Sequence, residues 1–134
     1  MGVVTVKEIM IPAEKIVTIS SLETVRSCLK IMQEKNVKSI IVEKSNAHDA
    51  FGIVTYTNIL DAVFSQEGDI DLLNVYDICT KPIIQISSVL NIKYAAQMMI
   101  NTKVNRLLVT DSGTLLGLLS MNDIVAVLMK SAQE

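Results

Sequence analysis

The apolar positions of this chain fall into one pattern written twice. Leu22, Val25, Cys28, Leu29 and Met32 stand at spacings of three, four and seven, and Val89, Ile92, Ala95, Ala96 and Met99 repeat them 67 residues later. Such a stripe predicts one face of an amphipathic helix, since about 3.6 residues per turn bring those positions into line. Short apolar runs flank each stripe. Ile16-Val17-Thr18-Ile19 precedes the first, and Ile83-Ile84-Gln85-Ile86 the second; Val37, Ile40, Ile41 and Val42 follow the first, and Val104, Leu107, Leu108 and Val109 the second. These runs predict buried strands. The offset then drops to 65, with Gly52-Ile53-Val54-Thr55 matching Gly117-Leu118-Leu119-Ser120, so the first half carries two extra residues between its last two strands. Insertions belong in hairpin tips, and Lys44 to Asp49 and Asp111 to Thr114 are rich in turn-favouring residues.

Helix-compatible, largely apolar segments close each half, Asn58 to Phe64 and Asp123 to Met129. Each half therefore reads β-α-β-β-α. A prelude precedes each first strand, Val6-Lys7-Glu8-Ile9-Met10 and Val75-Tyr76-Asp77-Ile78-Cys79, and Pro12 and Pro82 mark where it breaks. Ser20-Ser21-Leu22-Glu23 has the spacing of a capping box and predicts the start of the first long helix. The expected organisation is a repeat over 1–65, a linker over 66–74 and a second repeat over 75–134. A half of about 65 residues buries little surface alone, which predicts that the halves pack sheet to sheet.

The closing motif is Gly-apolar-apolar-Ser/Thr-x-x-Asp/Asn. It appears as Gly52-Ile53-Val54-Thr55-Tyr56-Thr57-Asn58 and as Gly117-Leu118-Leu119-Ser120-Met121-Asn122-Asp123. Two copies in register with two preludes, two helices and two hairpins resemble the CBS domain, named after cystathionine β-synthase, over nearly the whole chain. The tandem is similar to a Bateman module. That resemblance implies an α/β fold of two β-α-β-β-α repeats packed about a pseudo-twofold axis, with two clefts between their sheets.

A hydroxyl at a strand end, with a carboxylate three residues on in the first turn of a helix, suits a nucleotide. Ser120 and the helix amides can donate to phosphate, and Asp123 can accept from the vicinal hydroxyls of a ribose. The alternative role for Asp123 is a plain helix cap. Asn58 stands at the same place in the first copy, without the charge and with one acceptor oxygen fewer, so the Asp123 cleft is the expected site. The resemblance implies that this cleft is lined by Thr5, Met10, Val37, Lys38 and Ser39 from the first half and by Arg106, Leu118, Ser120 and Asn122 from the second. It also implies a weaker second cleft at Asn58, Thr55, Thr57 and Ile53. Arg106 would meet phosphate with its guanidinium fork, or else sit solvated at a strand edge. Lys38 and Lys103 add charge nearby, or are ordinary surface lysines.

Composition narrows the classes. Twelve Lys and Arg against fourteen Asp and Glu leave a net charge of −2, and five aromatic residues include no Trp. Neither favours nucleic acid, for which Lys38, Arg26, Lys93, Lys103 and Arg106 would have to form a patch. No apolar run is long enough for a membrane span and no signal peptide is apparent, so a cytoplasmic protein is expected. His48, the single histidine, falls in a polar hairpin tip. No nucleophile triad, Walker loop or paired-cysteine metal motif is visible, so an enzyme is not expected and no cofactor is required. Cys28 and Cys79 read as reduced thiols in apolar surroundings, and the helix methionines as core filler or a partner stripe.

The resulting expectation is a non-catalytic regulatory module that takes an adenine nucleotide or related adenosyl ligand (AMP, ADP, ATP or S-adenosylmethionine). Its apolar closing helices, 56–65 and 121–132, are expected to join two copies as a homodimer. Any output would pass through a separate effector protein not yet identified or through self-association. The alternative is a ligand-free interaction scaffold.

Overall fold

Two sheets account for the two halves. The computed structural model describes residues 2–134. Its contacts separate a first-repeat unit, Val17–Ile83, from a second-repeat unit made of the residues up to Ile16 together with Ile84–Glu134. Each unit has its own sheet and its own apolar cluster.

In the first-repeat unit the order is β2 (Thr18–Ile19), α2 (Val25–Lys35), β3 (Ser39–Val42), β4 (Gly52–Thr55) and α3 (Tyr56–Leu60), which widens into a π-helical turn over Asp61–Ser65. α4 (Val75–Ile78) completes the unit. β2 runs parallel to β3, and β3 antiparallel to β4. Cys28 and Met32 of α2 and Ile59 of α3 pack with Ile40, Val42, Val54 and Val75. Burial pushes the Cys28 thiol up to about 11, and both cysteines are free.

The second-repeat unit begins with α1 (Val6–Ile9) and β1 (Ile11–Pro12), then a 3-10 turn at Ala13–Lys15. β5 (Gln85–Ile86), α5 (Ile92–Thr102), β6 (Arg106–Asp111), β7 (Thr114–Ser120) and α6 (Met121–Ala132) follow. The strand order is β1-β7-β6-β5. Val6, Ile92, Ala95, Met99, Leu107, Val109, Leu119 and Ile124 form its core.

The preludes attach in the same way in both units. Val6 N–H donates to Leu90 O at 2.8 Å and Lys7 N–H to Ser88 O at 2.9 Å; Val75 N–H donates to Glu23 O at 2.8 Å and Tyr76 N–H to Ser21 O at 3.1 Å. The backbone leaving each prelude then crosses the closing motif at its glycine. Pro12 stands opposite Gly117, and a Cβ on Gly117 would lie 2.6 Å from Ile11 O and 2.5 Å from Met10 Sδ. Thr80 exchanges two 2.9 Å bonds with Ile53, and a Cβ on Gly52 would lie 3.1 Å from Thr80 O. Glycine is needed there for close approach of backbone to backbone.

Several expectations change. The predicted capping box at Ser20–Glu23 does not form. That segment is a turn in which Ser20 Oγ accepts from Leu22 N–H, and α2 starts later, with Thr24 Oγ1 accepting from Ser27 N–H at 3.1 Å. The reason is that Ser21 O and Glu23 O are taken by α4. Leu22 and Val89, assigned to the apolar stripes, lie in the preceding turns and are each 75% exposed. Met32 and Met99 are core, whereas Met121 and Met129 are exposed. In the second-repeat unit Ser88 is buried and donates to Asp111 Oδ2 at 2.8 Å, and Asn91 caps α5.

Candidate functional site

The head of α6 collects most of the expected site residues in the second-repeat unit. Ser120 ends β7 in extended conformation and is the N-cap of α6. Its Oγ accepts from Asp123 N–H at 3.2 Å, and Asp123 Oδ2 accepts from Ser120 N–H at 2.8 Å. This is a capping box, so Asp123 does take the cap role. A carboxylate there also gains from the partial positive charge at the helix start. The bond to Ser120 holds one oxygen; Oδ1 has no protein partner among the described residues.

Arg106 opens β6 directly across from Ser120 in the antiparallel register. Its Nη1 donates to Asn105 Oδ1 at 3.2 Å, and Met121 N–H donates to Asn105 O at 2.8 Å. Among the described residues no carboxylate pairs with Arg106. Asn105, Arg106, Ser120, Met121 and Asn122 line a notch of about 80 Å³. Asp123 faces a different and wider concavity of about 600 Å³, with Glu8 and Ile9 of α1 and Ala126, Val127 and Lys130 of α6 on its walls. The hydroxyl and guanidinium thus lie in the notch, and the carboxylate lies in the neighbouring pocket.

The remaining second-repeat positions sit apart from that notch. Leu118 is buried in β7 and paired to Ile11 and Leu108. Met10 packs its sulfur over Gly117. Thr5 caps α1, where its N–H and Oγ1 donate to Glu8 Oε2 at 2.6 and 3.0 Å. Those bonds hold the Glu8 carboxyl below its ordinary value. Val37, Lys38 and Ser39 belong to the first-repeat unit: Val37 N–H closes α2 on Met32 O, Lys38 is exposed, and Ser39 pairs with Thr55.

At the matching place in the first-repeat unit, Asn58 is fully engaged. Its Oδ1 accepts from Thr55 N–H at 2.8 Å and Thr55 Oγ1 at 3.0 Å, and its Nδ2 donates to Thr80 Oγ1 at 3.1 Å. Ile53 is buried and Thr57 exposed. The concavity beside Asn58 is about 180 Å³. Of the basic residues weighed for a nucleic-acid patch, Arg26 is paired to Asp71 and held in its charged form by that carboxylate.

Sequence reasoning missed three residues. Thr5-x-x-Glu8 has the visible spacing of a capping box. Asn105 and Thr80, which hold Arg106 and Asn58, follow from strand and prelude placement and carry no local signal.

The geometry can be set beside known proteins. A hexameric CBS-CP12 protein from bloom-forming cyanobacteria is 34% identical, with a TM-score of 0.83 over 91% of this chain and 69% of that one. An uncharacterized protein of Methanopyrus kandleri is 27% identical over 84% of this chain, which spans 57% of that protein's length. A conserved protein of Pyrococcus horikoshii, 18% identical over 92% of this chain and 90% of its own, shares the fold with a TM-score of 0.79. The family model of the CBS domain matches residues 2–65 and again 75–130. With both repeats matched and the β-α-β-β-α order present in each unit, the chain belongs to the CBS domain family, as a tandem pair.

Proposed function

We propose that the pair is a non-catalytic regulatory module whose second-repeat unit takes an adenine nucleotide or related adenosyl ligand at the head of α6. The carrying observation is the difference between Asp123 and Asn58. Asn58 spends both its oxygen and its amide on protein partners, whereas Asp123 is bonded through one oxygen, has no protein partner on the other among the described residues, and lines a pocket. A fixed carboxylate oxygen suits a sugar hydroxyl, since its orientation is settled before the ligand arrives. The notch beside it offers a guanidinium without an ion-pair partner, a serine hydroxyl and the backbone amide of Asn122, which favours phosphoryl oxygens there. Glu8 and Lys130 line the wider pocket, where the added carboxylate disfavours a phosphate. Regulation requires that the ligand bind two states of the module or its effector with different affinity.

The test is thermal unfolding with AMP, ADP, ATP and S-adenosylmethionine. A ligand at 100 times its dissociation constant adds about 2.7 kcal/mol to folding stability. No shift from any of the four at millimolar concentration refutes the reading.

A second reading rests on the closing helices. Tyr56, Leu60 and Phe64 at one, and Val125, Leu128 and Met129 at the other, are exposed. Such apolar faces usually meet a partner, and the cyanobacterial relative is hexameric. We propose that 56–65 and 121–132 join two copies as a homodimer. Sedimentation should show a dimer at micromolar concentration that Phe64→Glu converts to monomer; a monomeric parent chain refutes it.

A further inference from the structure

The backbone leaving the two preludes carries different side chains. Thr80 lies opposite Ile53 as Ile11 lies opposite Leu118, and Ile53 and Leu118 each follow a closing-motif glycine. Thr80 and Ile11 therefore hold one structural place, and Lys81 and Pro12 hold the next. In the first-repeat unit both of these side chains are tied down. Thr80 Oγ1 accepts from Asn58 Nδ2 at 3.1 Å, and the Lys81 ammonium pairs with the Asp49 carboxylate of the hairpin tip. Two backbone bonds of 2.9 Å to Ile53 fix the Thr80 main chain. In the second-repeat unit Ile11 brings only hydrocarbon and Pro12 has no side-chain donor.

Asn58 and Asp123 share a place as well, each accepting from its N-cap N–H at 2.8 Å. They part at the other terminal atom. Asn58 Nδ2 has the Thr80 hydroxyl, whereas Asp123 Oδ1 has no protein partner among the described residues. That oxygen is left unpaired as much by Ile11 as by Asp123, because a threonine at 11 would bring a hydroxyl to the matching place.

We propose that the residue following each prelude decides whether its unit takes a ligand. The Thr80 hydroxyl fills, inside the first-repeat unit, the place that a ligand hydroxyl takes at Asp123, and Ile11 leaves that place open. The inference rests on the adenosyl-ligand reading of the head of α6 and adds to it a specificity-determining position outside the binding groups. The hydrogen-bond polarity is consistent in both units. The Asn58 amide donates and needs an acceptor, the Asp123 carboxylate accepts and needs a donor, and a threonine hydroxyl supplies either.

Ile11→Thr is the direct test, with Ile11→Val, the same branched shape without the hydroxyl, as its reference. Each is titrated calorimetrically with whichever of AMP, ADP, ATP and S-adenosylmethionine stabilises the parent chain most. Ile11→Thr should bind about tenfold more weakly than Ile11→Val, because the ligand must displace a hydrogen bond to a charged group. A second readout needs no ligand. In urea, Ile11→Thr should gain on Ile11→Val when residue 123 is aspartate and lose that gain in combination with Asp123→Ala, where the new hydroxyl has no carboxylate to meet. Equal affinity of Ile11→Thr and Ile11→Val, in a protein whose parent chain binds, overturns the proposal and leaves the site reading standing. A gain in urea that persists with Asp123→Ala also overturns it, since the hydroxyl is then bonded elsewhere. A parent chain that takes none of the four ligands removes the site reading and the proposal together.

Discussion

Asp123 is asked to do two things, and the molecule contains the substitution that separates them. Asn58 shows that an amide oxygen at this position keeps the bond from the N-cap N–H, at the same 2.8 Å as Asp123. Asp123→Asn should therefore retain the cap and lose the charge, costing up to about 1 kcal/mol of charge–dipole stabilisation. Asp123→Ala loses the cap as well, for a total of about 1–2 kcal/mol. At about 3–5 °C per kcal/mol, both variants stay folded at room temperature. Their ligand response should be alike, because both lose the charge-assisted bonds to a ribose, worth about 1.5–3 kcal/mol. That is roughly 10- to 100-fold in dissociation constant. A nucleotide concentration that stabilises the parent chain by about 2.7 kcal/mol would then stabilise a 100-fold weaker variant by only about 0.4 kcal/mol. Thermal unfolding with and without nucleotide reads both quantities in one experiment, and Asn58→Ala is the control that should leave the ligand shift intact. If Asp123→Asn keeps the full ligand shift, the carboxylate is a cap only and the reasoning for the site fails.

Gly117→Ala should destabilise the second-repeat unit by about 1–3 kcal/mol, because the new Cβ meets the Ile11 carbonyl at 2.6 Å and the backbone there is held by the β1–β7 pairing. Gly52→Ala, at 3.1 Å from Thr80 O, should cost less in the same denaturant titration; equal costs would contradict the crossing argument. Lys81 and the Ser45 donors hold the Asp49 carboxyl well below its ordinary 3.8. A depressed folded value adds stability above the unfolded value and loses it as pH falls through the folded one, so Asp49→Asn should flatten the loss of stability below about pH 4. An unchanged acid limb would refute that assignment. An excised 17–83 fragment should unfold more cooperatively by circular dichroism than a 1–65 fragment, which lacks fully buried Val75 and the bonds that α4 makes to Ser21 and Glu23. Val75 burial alone is worth about 1.5–3 kcal/mol, a large part of what so small a unit has.

What could be read from the chain, and what could not, divides along the range of the interactions. Strand and helix order followed from periodicity because Ile40, Ile41 and Val42, like Leu107, Leu108 and Val109, are fully buried and leave an uninterrupted apolar run. The start of α2 was misplaced for the opposite reason. Ser20 and Glu23 have the local spacing of a cap, but α4, some fifty residues away, claims the carbonyls of Ser21 and Glu23 and moves the helix start to Thr24. The candidate site shows the same split: Ser120 and Asp123 were legible as a strand-end and first-turn pair, whereas the Asn105 contacts that hold Arg106 and Met121 depend on where β6 meets β7.

The exchange of preludes is the deepest instance. α1 precedes the first repeat in sequence yet its Val6 is buried in the second-repeat core, and α4 precedes the second repeat yet its Val75 is buried in the first. Sequence similarity aligns 1–65 with 75–134, while the hydrogen bonds unite Val17–Ile83. No periodicity within either prelude can reveal this, since each is four helical residues long and its buried side chain fits either core equally well by pattern. The two closing-motif glycines do encode it, because Gly52 and Gly117 are the points where a crossing strand removes the room for a Cβ. A glycine opening or interrupting an apolar strand thus marks where distant backbone arrives, and in this chain the arriving backbone is the end of the exchanged prelude in both units.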